Sequence, residues 1–160
     1  MALINPEIVG LARVVTAGTT ASYQFVNGFE AGTPTGAQPG AAAISVNAAT
    51  GTYILFLDEP VDPGTPVTTS PAAAANQGGI KASIDLVQVS TPTTTAPTLQ
   101  SDVELRWYYG QYSLPAPYAG VNPEKAIVVK AYIAGGSTAY TDPVTFDVVV
   151  FKNPTTIYKF

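Results

Sequence analysis

The chain has 160 residues, 46% of them hydrophobic and only 11% charged, with a net charge of −4. That length suits one domain, or one domain with an arm, and the apolar content supplies a sizeable core. The seven Lys and Arg are scattered, which excludes a general nucleic-acid binder and an anionic membrane surface as partners. Cysteine and histidine are both absent. Stability therefore comes from packing, not disulfides, and the usual general base, cysteine nucleophile and zinc ligands are missing.

In chain order, MALINPE has neither a basic n-region nor a long apolar h-region, so it does not read as a signal peptide. Residues 1–7 read as an N-terminal arm and residues 8–160 as a single domain. Short apolar runs punctuated by 14 Gly and 14 Pro predict strands over 8–16, 21–27, 42–47, 52–58, 80–89, 102–109, 125–134, 144–152 and 156–160. The alternation is strongest in two of them. Val103, Leu105, Trp107 and Tyr109 share one face, opposite Glu104, Arg106 and Tyr108. Val144, Phe146, Val148 and Val150 oppose Thr145, Asp147 and Val149. Between strands lie long Thr/Pro/Ala-rich loops, such as EAGTPTGAQPG over 30–40 and STPTTTAP over 90–97. Their prolines resist helix, and they read as surface coverings that do not fill a core. The fold expected is all-β: an antiparallel β-sandwich of jelly-roll or immunoglobulin-like topology.

Catalytic chemistry is scarce. No Gly-x-Ser-x-Gly elbow and no Ser-x-x-Lys pair occurs. The stretch QGGIKAS over 77–83 approaches a P-loop, but Ile80 splits the required Gly-Lys pair. Carboxylates remain. Asp58, Glu59 and Asp62 cluster in LDEPVDPG; strand termination by a turn explains them most simply, with oxygen ligation of calcium and a glycosidase pair as alternatives. The chain is expected to be non-enzymatic and to need no cofactor. Candidate contact residues are the terminal apolar side chains Leu3, Ile4, Tyr158 and Phe160. The loop aromatics Tyr112 and Tyr118 suit packing within the subunit, a protein interface or sugar stacking.

The whole chain resembles tailed-phage virion accessory proteins, in particular small β-sandwich decoration (cement) proteins and head-fibre domains. The resemblance is carried by the start MALINPEIVG, loops such as STPTTTAPT, the β runs GTYILFLDEP and DPVTFDVVVFKNPT, and the lack of Cys and His. It implies a protein at the virion surface, made in the host cytoplasm. It further implies binding to the major capsid protein or other virion proteins as a homo-oligomer, commonly a trimer, that stabilises the shell. The alternative is a carbohydrate- or receptor-binding domain of a fibre or adhesin.

Overall fold

The computed structural model describes residues 7–60, 82–90, 103–109, 113–141 and 143–152, without the side chains of 7, 82–90, 109 and 152. Eight strands run in order: β1 (Glu7–Ala17), β2 (Thr20–Asn27), β3 (Ile44–Asn47), β4 (Thr52–Phe56), β5 (Ala82–Ser90), β6 (Val103–Tyr109), β7 (Ala126–Ile133) and β8 (Thr145–Lys152). Each matches a predicted strand to within two residues at either end. The ninth, over 156–160, lies outside the described residues, as does most of the arm. The only helical segments among the described residues are single 3-10 turns, at Ala48–Thr50, Ala116–Tyr118 and Pro123–Lys125.

The strands form two antiparallel sheets, ordered β2-β1-β8-β5 and β3-β4-β7-β6. Period-2 alternation sends one face of each into a common buried cluster. Ala12 and Val14 from β1 and Phe146, Val148 and Val150 from β8 meet Leu55 from β4 and Ile127, Val129 and Ala131 from β7. Tyr53 meets Phe146 edge-on, with centroids 5.3 Å apart at 71°. Each large side chain buried in this way contributes about 1.5–3 kcal/mol. On β6 the expected core face holds for Val103, which is buried, and for Leu105, which packs half-buried against the cluster. Trp107 is only half-buried, because β6 ends its sheet and has a neighbouring strand on one side alone.

A second buried cluster lies on the opposite face of the β3-β4-β7-β6 sheet. Ile54, Phe56, Ala126 and Val128 point outward there, yet they are as buried as the central core. The covering comes from the segments 30–43 and 113–125. Tyr118 stacks on Phe56 with centroids 5.1 Å apart at 20°, and its hydroxyl donates to the Ala42 carbonyl at 2.9 Å. The backbone N–H of Gln38 donates to the Pro117 carbonyl at 2.8 Å, and Ala37 and Ala41 pack against the cluster. Pro34 is fully buried. This corrects the reading of EAGTPTGAQPG as a loop that fills no core. Strand β7 is apolar on both faces, so its outer face needs a cover, and small Ala and Pro side chains allow backbone to lie close against it.

One ion pair ties the cover down. Glu30 donates its backbone N–H to the Phe56 carbonyl, and its carboxylate accepts from Lys125 Nζ at 2.8 Å and from the Thr35 N–H. Both side chains are largely buried. Burial pushes the Glu30 carboxyl up, but the bonds from Lys125 and Thr35 outweigh it and hold the group below its ordinary range.

Candidate interaction surface

The outer face of the β2-β1-β8-β5 sheet has no such cover among the described residues. Register assembles it. Leu11 lies opposite Val149 on β8, Ile8 opposite Phe151, and Phe25 opposite Arg13. Ile8 is 57% exposed, Phe25 41% and Leu11 37%. Large apolar side chains scattered singly on a surface are ordinary, but these belong to neighbouring strands of one sheet face.

Charge on this face is self-neutralised where side chains are described. Arg13 grips Asp147 through two parallel bonds, Nε to Oδ1 at 2.7 Å and an Nη to Oδ2 at 2.9 Å. The guanidinium also stands over the Phe25 ring, 5.4 Å from its centroid. The bond to Asp147 pushes the Arg13 guanidinium up, which keeps it charged. A fork-on-fork pair fixes both side chains flat between β1 and β8. The result is an apolar sheet face with a rigid, neutral polar centre. It offers shape and apolar area to a partner.

Sequence reading missed this surface, although a signal was present. In β1, Leu11, Arg13 and Val15 alternate with the core residues Ala12, Val14 and Thr16, so both faces are largely apolar. In β8, Val149 and Phe151 occupy the face expected to be polar. A strand apolar on both faces is one that is covered on both faces.

The residues singled out from the sequence fall elsewhere. Tyr118 is 5% exposed and packs within the chain, against Phe56. Asp58 and Glu59 are exposed at the end of the β4 segment, where the Asp58 N–H donates to the Gly28 carbonyl. Leu3, Ile4, Tyr112, Tyr158, Phe160 and Asp62 lie outside the described residues. Among the described residues no three acidic, His or Cys side chains gather to hold a metal ion, and no helix is long and apolar enough to cross a membrane.

Comparison with protein-family models, curated proteins and solved structures finds no match for this chain.

Proposed function

We propose that this chain is a non-enzymatic structural protein of a virion, a β-sandwich of the capsid-decoration kind. It attaches to the capsid lattice through the outer face of the β2-β1-β8-β5 sheet and works as a homo-oligomer, with a trimer as the first expectation. The observation that carries the reading is the exposed apolar row Ile8, Leu11 and Phe25 around a neutralised Arg13–Asp147 pair. Such a surface loses little on desolvation and gains from apolar burial against a protein partner. Several copies on a repeating shell gain further affinity by avidity. Low overall charge supports the same reading, since few charges oppose association.

Light scattering of the purified protein, followed by co-sedimentation with particles of the encoding virus at low and high salt, tests this. Binding through an apolar, neutral face persists in high salt. The variants Leu11→Lys and Phe25→Lys, at exposed positions, keep the fold and lose particle binding. A monomer that never co-sediments overturns the proposal. So does binding that survives both substitutions unchanged.

A further inference from the structure

Among the described residues, the outer face of the β3-β4-β7-β6 sheet is covered at one end only. Where the covering segments stop, beside Pro115, a hollow of about 190 Å³ opens between β3, β4, β7 and β6. Ile54 and Val128, both buried, form its floor. Asn47 and Thr52 line one side, and Tyr108 and Lys130 the other. Register explains the gathering: Thr52 pairs with both Asn47 and Lys130 across the strands, and Tyr108 pairs with Val128.

The polar groups around the hollow have bonding capacity to spare. Arg13, Arg106 and Lys125 each hold a carboxylate, whereas Lys130 holds none among the described residues. Its ammonium stands 5.9 Å from the Tyr108 ring centroid, a long contact that does not neutralise charge. Arg106, already engaged by Glu104, lies directly across from Lys130 on β6, so the neighbourhood is not acidic. Asn47 occupies the N-cap of the 48–50 turn, but its side chain makes no capping bond. The Thr50 and Thr52 hydroxyls are bonded to each other at 2.9 Å and still have lone pairs for a further donor.

We propose that this hollow binds one ring of an acidic sugar, a pyranose bearing a carboxylate. The carboxylate is taken by Lys130, and the sugar hydroxyls by Asn47 and the Thr50–Thr52 pair, above the apolar floor of Ile54 and Val128. Size selects a single ring, because the volume falls below the roughly 300–1,000 Å³ of pockets for drug-sized ligands. A bare inorganic anion would leave the apolar floor and the amide unused. A neutral sugar would leave the lysine unanswered. The site is on the opposite sheet from Leu11 and Phe25 and does not depend on lattice binding.

NMR titration of the ¹⁵N-labelled full chain with D-glucuronate, D-glucose and inorganic phosphate in parallel tests the proposal. Glucuronate at millimolar concentrations is expected to shift the amides around Asn47, Thr52, Tyr108 and Lys130, and to bind more tightly than glucose or phosphate. Lys130→Met should weaken glucuronate by roughly tenfold or more, the effect of losing a bond to a charged group, while the dispersed spectrum shows the fold intact. Thr52→Val should weaken glucuronate and leave the weak phosphate response unchanged. Equal binding of glucose, equal binding of phosphate, or no glucuronate shifts in this region overturns it.

Discussion

Gly36 and Gly120 lie back to back. A Cβ built on Gly36 would stand 2.3 Å from the Gly120 carbonyl oxygen, and one on Gly120 would stand 2.4 Å from that of Gly36. Gly36 also has φ of 91°, which side-chain-bearing residues rarely adopt. Backbone against backbone is what lets the two covering segments close over Phe56. Gly120→Ala drives a methyl into backbone that cannot rotate away, so it should cost about 1–3 kcal/mol. Urea unfolding reads the loss; a variant as stable as the parent would show that the two segments can separate without consequence.

Tyr118 is held by its ring and by its hydroxyl, and the two contributions are separable. Tyr118→Phe removes only the hydroxyl's bonds, to the Ala42 carbonyl and the Ser45 side chain, and should cost about 1 kcal/mol. Tyr118→Ala also exposes the Phe56 face and should cost about 3–5 kcal/mol. Equal losses in the two variants would place all the stabilisation in the hydroxyl.

The Glu30–Lys125 pair predicts a reversal of pH dependence. In the parent, the Glu30 carboxyl sits below its ordinary value, so its contribution is complete above that value and fades as pH falls through the folded value. In Lys125→Met the burial cost is opposed by Thr35 alone, and the carboxyl rises from its position in the parent. That variant should lose about 2 kcal/mol near neutrality, between the values for exposed and fully buried pairs. It should recover part of the loss on acidification, as Glu30 takes up a proton. Denaturant melts at about pH 7 and about pH 4 distinguish the curves. Parallel curves would mean the pair contributes no coupling.

At the alkaline end Tyr23 contributes a slope of its own. Its hydroxyl is buried and finds no partner among the described residues. Burial, then the charges of Asp58 and Glu30, push its phenol far up. The unfolded chain releases this proton near pH 10 while the folded chain keeps it, so stability falls as pH rises beyond that point. Tyr23→Phe should be neutral or slightly stabilising near neutrality. Above about pH 10 it should flatten the loss by about 1.4 kcal/mol per pH unit, one proton's worth. An unchanged slope would mean the phenol ionises in the fold.

Strand positions were legible because alternation is local: Val144, Phe146, Val148 and Val150 announce β8 within one short stretch. Pairing was not. Arg13 and Asp147 are 134 residues apart, and Glu30 and Lys125 are 95 apart. Nothing near either partner marks the other, since an ion pair across strands depends on a register fixed by the whole sheet. The covering segment was opaque for a different reason. Ala37, Ala41 and Pro34 are weakly apolar, and their burial follows from the outward apolar face of β7, which only the sheet order exposes. Trp107 shows the limit of periodicity: it has the right phase for the core, but an edge strand reduces its burial.

The β2-β1-β8-β5 sheet is assembled from opposite ends of the chain, with β8 seated between β1 and β5. Those pairings join Glu7 with Lys152 and Ala82 with Lys152. The β1–β2 hairpin can form early, but β5 has no strand to bond until β8, the latest of the eight, arrives. Contacts so distant along the chain carry a large loop-closure entropy and make for slow folding. Translation must therefore deliver β8 before this sheet can close. Until then its two separated parts present bare hydrogen-bonding edges, and a nascent chain stalled short of β8 is the species most prone to aggregate.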